Sequence, residues 1–197
     1  MNATARGSAR ERILAAAVRR IASEGIDGVR IARIAMDAGV STALVHYHFA
    51  TREALLAEAL EHSFERAGDV RTADTGESPT VQRLRDMVEQ CLPLPGAQEQ
   101  DWVLWVELWL RAVRHPELRP TAAKLYARLH AWFVEAIEAG GFDCDAGRVA
   151  DRVLALLDGL GLRALLGDPA MPVERAREEV WDALVRELGV APAVAHE

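Results

Sequence analysis

Apolar residues recur at intervals of three and four positions along most of the chain, which is the period of amphipathic α-helices. Neither a stretch of alternating apolar and polar residues nor an Asn-Gly pair marks a strand or a hairpin. Alanine, leucine, arginine and glutamate, all strong helix formers, dominate the sequence. The pattern therefore predicts an all-α protein.

The first helix has the clearest boundaries. Ser8 and Glu11 form the sequence pattern of a capping box, in which each side chain binds the other's backbone N–H. An apolar stripe follows, and Gly25 is expected to end the helix. Further helices are predicted at about 31–38, from Ser41, from Thr51, and at about 79–92, 98–114, 120–139, 145–166 and 172–188. Residues 69–79 are the best linker candidate, a turn or kink is expected at 116–119, and the tail after Gly189 is expected to fray.

The segment around Gly39 has the spacing of a helix-turn-helix. Ala35 is small enough for two steeply crossing helices to meet, and Gly39 tolerates the positive φ that a tight turn requires. Ser41 can cap the second helix, with Val45 pointing inward. The outer face of that helix would present Thr42, Ala43, His46 and Tyr47 to a DNA major groove.

Charge is distributed unevenly along the chain. The net charge is −7, yet residues 1–50 contain seven arginines against four acidic residues. Residues 51–197 contain sixteen basic and twenty-six acidic residues. A basic N-terminal part can approach phosphates while an acidic remainder keeps the protein in solution.

Two runs carry a specific resemblance. Gly39–Phe49 (GVSTALVHYHF) and Thr51–Leu56 (TREALL) resemble the signature of the TetR family of repressors. The resemblance implies a cytoplasmic homodimer in which three N-terminal helices bind DNA, later helices enclose a ligand pocket, and the last two helices pair across the dimer axis. It predicts a helix-turn-helix DNA-binding domain at 1–50 and a helical ligand-binding and dimerisation domain at 51–197.

Some positions depart from the family pattern. His46 stands where the family often has tyrosine, Arg30 replaces a threonine cap, and Arg52 replaces a lysine. Arg30 loses the hydroxyl cap but can still bind phosphate. The predicted DNA-binding residues are Arg30, Ser41, Thr42, Ala43, His46, Tyr47 and Arg52. For His48, inward packing or a hydrogen bond at the helix end is expected.

Three tryptophans form one stripe on a later helix, at i, i+3 and i+7. Core packing explains such a stripe, and so does the wall of a ligand pocket. The candidate ligand-binding residues are His62, Met87, Cys91, Trp102, Trp105, Trp109, Tyr126, His130 and Phe133. The segments Trp105–Trp109 and Asp158–Leu166 resemble the choline-sensing branch of the family, and an aromatic cage suits a quaternary ammonium.

The C-terminal part offers a candidate dimer surface. Glycine inside a helix costs about 1 kcal/mol relative to alanine, so Gly159 and Gly161 suggest a close backbone approach at a two-fold seam. The predicted interface consists of Leu156, Gly159, Leu160, Gly161, Val180, Trp181, Leu184 and Leu188. The alternative is burial of these residues within one subunit.

Other classes of function have weaker support. No Ser/His/acid set, phosphate-binding loop or pair of suitably spaced carboxylates indicates an enzyme. The two cysteines lack zinc-ligand spacing, His46 and His48 face different sides of a helix, and no apolar run is long enough to span a membrane. No metal or cofactor is therefore expected.

A helical scaffold without DNA contact is a further alternative. The sequence favours a repressor that a small-molecule effector releases from palindromic double-stranded operator DNA.

Overall fold

The computed structural model describes residues 8–71 and 80–190. Within these two ranges it contains α-helices and one short 3₁₀ helix but no strand, which confirms the predicted all-α class. The α-helices are α1 (Ala9–Gly28), α2 (Ile31–Ala38), α3 (Thr42–His48), α4 (Arg52–Arg71), α5 (Thr80–Gln90), α6 (Ala97–Arg114), α7 (Arg119–Ala139), α8 (Ala146–Leu165) and α9 (Val173–Glu187). The 3₁₀ helix is Pro116–Leu118.

The chain divides into two compact units. The first comprises residues up to 72 together with 100–125, and the second comprises 73–99 and 126 onward. In the first unit, apolar residues of α1–α4, α6 and the start of α7 share one core. In the second unit, apolar residues of α5, α7, α8 and α9 share another. The described residues of each unit therefore bury their own apolar faces.

Side chains cap the helices where the sequence predicted. Ser8 Oγ accepts the N–H of Glu11 at 3.2 Å, and Glu11 Oε2 accepts the N–H of Ser8 at 2.9 Å. The Thr51 hydroxyl accepts the N–H of Ala54 at 3.0 Å at the start of α4. Each cap satisfies an N–H that the helix itself cannot pair, so it fixes where the helix begins.

Glycine and proline interrupt the helices close to the predicted places. Gly25 has φ 66° and ψ 161°, a conformation essentially restricted to glycine, and the chain resumes a helical turn up to Gly28. The expected turn at 116–119 is the 3₁₀ helix, and α7 begins directly after it at Arg119. Pro120 thus lies in the first turn of α7, where its missing N–H has no helical partner to lose.

Two predicted segments meet the limits of the described chain. The predicted linker at 69–79 begins too early, because α4 continues to Arg71; residues 72–79 lie outside the described ranges. Most of the predicted frayed tail, residues 191–197, also lies outside them. Across 8–71 and 80–190, no helix combines the length and the apolar character needed to cross a bilayer.

Candidate functional site

The turn between α2 and α3 is built around Gly39. This glycine has φ 65° and ψ 40°, in the left-handed region that costs an L side chain about 1–2 kcal/mol. The N–H of Gly39 donates to the carbonyl of Met36 at 3.2 Å, and that of Val40 donates to Ala35 at 2.9 Å. Ala35 is buried with 1% of its surface exposed, which lets the helices meet closely. The turn is therefore the predicted helix-turn-helix.

Helix α3 separates a buried face from an exposed one. Val45 is fully buried, whereas Tyr47 is 82% exposed and Thr42, Ala43 and His46 are also exposed. The Ser41 hydroxyl accepts the N–H of Leu44 at 3.2 Å, so it caps the helix as predicted. The side chains expected to contact DNA therefore lie on one accessible face. Ser41 also lies at that surface, although its hydroxyl already serves the cap.

His48 lies at the edge of this face. Its ring is partly buried between the neighbouring aromatic rings, with centroids 5.3 Å from Tyr47 and 6.1 Å from Phe49. Phe49 is buried in the core of the first unit. His48 thus packs against neighbouring rings at the end of α3, which is closer to the predicted inward packing than to the predicted hydrogen bond at the helix end.

Polar contacts fix the orientation of α2 against α1. Arg12 Nε donates to the carbonyl of Ala38 at 3.1 Å, at the end of α2. Arg20 donates to both carboxylate oxygens of Asp37, at 2.6 and 3.0 Å, and to Glu24 at 2.6 Å. Hydrogen bonds from Arg20 hold the pKa values of both carboxyl groups below their ordinary values. The contacts hold α3 in place by fixing the helix before it.

Two predicted cations are accessible on the first unit. Arg30 precedes α2, is exposed, and makes no side-chain capping hydrogen bond, as predicted from the loss of the family's hydroxyl. Arg52 opens α4 and is also exposed. Neither forms an ion pair within the described part of the chain. Sequence reasoning missed Met36, which is 70% exposed on α2.

The tryptophan stripe lies on α6, in the first unit. The rings of Trp102 and Trp109 are edge to face with centroids 6.1 Å apart, and those of Trp105 and Trp109 are 5.9 Å apart. Trp102 is 7% exposed, and Trp105 packs against the core of the first unit. The structure therefore gives these residues a packing role, and their predicted role in ligand binding stays a prediction.

The predicted ligand residues of the second unit differ in character. Met87 and Phe133 are buried in its core, and Cys91 is partly buried against that core. His130 Nε2 lies 3.2 Å from the carbonyl of Gly147. Phe133 has no exposed surface, so in this conformation it cannot touch a ligand directly.

Tyr126 forms a hydrogen bond with Asp158, a residue that the sequence analysis did not predict to bind a ligand. Its hydroxyl donates to Asp158 Oδ2 at 2.7 Å, joining α7 to α8. Burial raises the pKa of Asp158, and the hydrogen bond from Tyr126 opposes that rise. A partly buried carboxylate suits recognition of a cation. The mixture of small and acidic residues around Gly159 was the available sequence signal.

His62 lines a cleft between α1 and α4 of about 440 Å³. Its other lining residues are Arg10, Glu11, Leu14, Glu58, Glu61 and Glu65. Arg10 and Lys124 already pair with Glu58 and Glu61, respectively. The cleft is charged rather than aromatic and so differs from the pocket that the sequence suggested.

Half of the residues predicted for the dimer surface are buried within the single chain. Val180 and Leu184 have no exposed surface, Leu188 is 6% exposed, and Gly161 is buried. These residues pack in the core of the second unit or lie buried beside it, so they have almost no area left for a partner. Their burial favours the alternative of packing within one subunit, and their predicted place in a dimer interface stays a prediction.

The remaining predicted interface residues have accessible surface. Leu156, Leu160 and Trp181 are partly buried, and Gly159 is exposed. A methyl group added at Gly159 would meet no atom within 4 Å. The Arg85 guanidinium lies 5.2 Å from the centre of the Trp181 ring. In the described residues, no group of three His, Cys, Asp or Glu side chains could hold a metal ion.

Comparison with known proteins identifies the family. Residues 13–59 match bacterial regulatory proteins of the tetR family. Residues 80–189, more than half of the chain, match the C-terminal part of BetI-type transcriptional repressors. The chain belongs to the TetR family. Both matching families consist of transcriptional regulators rather than enzymes.

Individual TetR-family relatives match nearly the whole chain. The transcriptional regulator BetI of Brucella canis is 27% identical over 186 residues, which cover 93% of each protein. A regulator from Saccharomonospora viridis, crystallised with choline, is 34% identical with a TM-score of 0.79, covering 90% of this chain and 95% of that one. A TetR-family regulator from Rhodococcus sp. is 30% identical with a TM-score of 0.81, covering 91% and 98%. This protein is thus a ligand-responsive DNA-binding regulator of the TetR type.

Proposed function

We propose that a homodimer of this chain binds a palindromic operator in the cytoplasm and releases it when a small molecule binds. Residues 1–50 would bind DNA, and residues 51–197 would bind the effector and form the dimer. A two-fold dimer would place its two α3 helices about 34–36 Å apart, in successive major grooves. An effector that prefers a conformation with another spacing would lower the population able to bind DNA.

The proposed DNA binding rests mainly on the outer face of α3, whose side chains are exposed. Exposed Thr42, His46 and Tyr47 supply hydrogen-bonding groups, and Ala43 leaves room for close approach. Small polar side chains and histidine can bind base edges or phosphates, and an alanine methyl can meet the methyl of thymine. Val45, on the opposite side, anchors the helix in the core.

Two accessible arginines support phosphate binding. Arg30 and Arg52 lie at the beginnings of α2 and α4, and both are exposed. A guanidinium binds phosphate through two parallel hydrogen bonds. The acidic remainder of the chain would keep the protein from binding DNA through its other surfaces.

The effector is proposed to be a small quaternary ammonium compound, with choline as the first probe. Choline is present in the structure of the Saccharomonospora viridis regulator. A quaternary ammonium donates no hydrogen bond, so aromatic faces and carboxylates recognise it. The stripe Trp102, Trp105 and Trp109 of the first unit offers such aromatic faces. In the second unit, the partly buried Asp158 offers a carboxylate.

Selection of duplexes from random-sequence DNA tests the DNA-binding part. The wild-type chain is expected to enrich a palindrome. The double variant Thr42→Ala, Tyr47→Ala should bind that duplex at least about 30-fold more weakly, because each good base contact contributes about 1–3 kcal/mol and the variant removes two. Arg114→Ala, which removes an exposed cation from α6, is the matched control and should bind normally.

Two further titrations separate phosphate binding from the effector response. Arg52→Gln should weaken binding to all DNA sequences. The slope of the logarithm of the binding constant against the logarithm of the salt concentration should fall by about one, the amount expected for one lost phosphate contact. Choline should lower the affinity of the wild-type chain for the selected duplex. Failure to enrich any duplex would contradict DNA binding, whereas enrichment without a response to choline would contradict only the choice of effector class.

A further inference from the structure

Helix α6 carries the tryptophan stripe and also contacts the end of α1. Glu107 Oε1 accepts the N–H of Ile26 at 3.3 Å. A methyl group on Gly25 would lie 2.9 Å from the same oxygen, which is closer than carbon and oxygen normally approach. The glycine-specific conformation of Gly25 therefore brings the backbone of α1 directly against the Glu107 carboxylate.

One turn further along α6, Arg111 joins three helices. Its guanidinium donates to Asp27, at the end of α1, and lies 3.7 Å from Glu53 in the first turn of α4. Its Nε lies 4.0 Å from Glu107 Oε2 on α6 itself. The Arg111 side chain is 13% exposed, and Glu53 and Glu107 are 32% and 21% exposed, so water screens these two interactions less than those of a surface pair. Asp27 is 90% exposed, so water screens its pair with Arg111 more strongly.

A third polar contact links α6 to the middle of α4. The hydroxyl of Ser63 donates to the Asp101 carboxylate, and Ser63 is the buried polar residue of the described core, with 2% of its surface exposed. Trp105 lies between the levels of Asp101 and Arg111 and packs against the core of the first unit. Helix α6 thus contacts α4 near both of its own ends.

On the basis of the proposed operator binding, we propose that Glu107 and Arg111 are positioning residues that couple the tryptophan face of α6 to the DNA-binding helices. Hydrogen bonds depend steeply on distance and angle, and ion pairs weaken with distance, so a shift of α6 must displace the turn Gly25–Asp27 or weaken these contacts. That turn ends α1, which holds α2 through Arg20 and Arg12. Coupling is reciprocal, and operator binding must therefore change the surroundings of the α6 tryptophans.

The experiment uses the full chain carrying Trp132→Phe and Trp181→Phe, in which the remaining tryptophans are Trp102, Trp105 and Trp109 of α6. This reference protein is titrated with the duplex that the wild-type chain selects. Its tryptophan emission should shift as the duplex saturates it. Adding Glu107→Ala and Arg111→Met should remove most of the shift, because the contacts that link α6 to α1 and α4 are lost, while binding stays saturable.

Control variants make the outcome decisive. Arg114→Met removes an exposed cation from the same helix and should leave the shift unchanged. If circular dichroism shows that the double variant does not fold, Glu107→Gln and Arg111→Lys replace it, and each should give a reduced shift. A full shift in these variants would overturn the coupling role. A wild-type chain that selects no duplex would instead overturn the proposed DNA binding, and the coupling with it.

Discussion

The segment α1–α3 and the pair α8–α9 both have glycines at prominent positions, but the glycines serve different purposes. Gly39 has φ 65° and forms a turn that an L side chain would strain. Gly159 lies inside α8, is exposed, and has open space where a side chain would be. A glycine required by local geometry can be recognised from its immediate neighbours. A glycine that we propose to leave room for a second chain, such as Gly159, cannot.

The two regions also differ in how they use apolar residues. Helix α3 buries Val45 and leaves most of its other side chains exposed. In α9, Val180 and Leu184 are fully buried against the other helices of the second unit. The DNA-binding segment is therefore built to display side chains, and α9 is built to fill a core.

The largest expected effect follows from Leu184→Ala. Removing a fully buried leucine leaves a cavity and should lower the free energy of unfolding by about 2–5 kcal/mol. Because Leu184 has no exposed surface, the dissociation constant of the proposed dimer should stay unchanged. Urea unfolding followed by circular dichroism measures the first quantity, and sedimentation equilibrium measures the second.

Leu160→Ala is the matched variant for this test. Leu160 is only partly buried on α8, so its truncation should cost less stability and weaken the dimer more. The opposite pattern, with Leu184→Ala weakening dimerisation at normal stability, would return Leu184 to the predicted interface.

A smaller effect is expected from alanine at the two glycines. Gly39→Ala should destabilise the protein by about 1–2 kcal/mol, because alanine is strained at this φ even though no atom obstructs its methyl group. Gly159→Ala should stabilise a protomer by up to about 1 kcal/mol, because it raises helix propensity in open space. Denaturant unfolding measures both changes.

Dimerisation distinguishes the two glycines further. If a second chain approaches α8 closely, Gly159→Ala should weaken the dimer in sedimentation experiments while Gly39→Ala leaves it unaffected. If both variants have the same dissociation constant as the wild type, Gly159 does not belong to the proposed interface. If both variants lose the same free energy of unfolding, the difference between the positive φ of Gly39 and the helical backbone of Gly159 does not matter for stability, and this prediction is wrong.

How far the sequence could predict the structure follows from the range of each interaction. The caps at Ser8, Ser41 and Thr51 and the turn at Gly39 depend on residues three or four positions apart, and all were predictable. The exposed face of α3 followed from the same spacing. Helix ends such as that of α4 were less certain, because helices continue wherever tertiary packing allows.

Contacts between distant segments were not predictable in the same way. The burial of Val180 and Leu184 depends on which side of α9 faces its neighbours, and periodicity alone leaves that open between a core and an interface. The contact between Glu107 and Ile26 joins residues 81 positions apart. Its sequence signal was weak: Glu107 and Arg111 are charged residues spaced i,i+4 within an otherwise apolar and aromatic stretch.

The smallest expected effect concerns two carboxyl groups whose pKa values move in opposite directions. Hydrogen bonds from Arg20 lower the pKa of Asp37, so its ionised form stabilises the fold above the unfolded pKa of about 3.9, and this stability is lost as the pH falls through the lower folded value. Burial raises the pKa of Asp158, so its ionised form destabilises the fold above that raised pKa, and the penalty disappears as the pH falls toward about 3.9.

Asp37→Asn should therefore be less stable than the wild type at neutral pH, and Asp158→Asn should be more stable. Urea unfolding between neutral and acidic pH measures the free energy of unfolding of each variant relative to the wild type. Both differences should shrink as the pH falls, the one for Asp37→Asn from below the wild-type value and the one for Asp158→Asn from above it. Asp86→Asn, on the surface of α5, is the control and should follow the wild type more closely, because its carboxyl group accepts a surface hydrogen bond from Gln82. A variant at Asp158 that is less stable than the wild type at neutral pH would show that the hydrogen bond from Tyr126 outweighs burial.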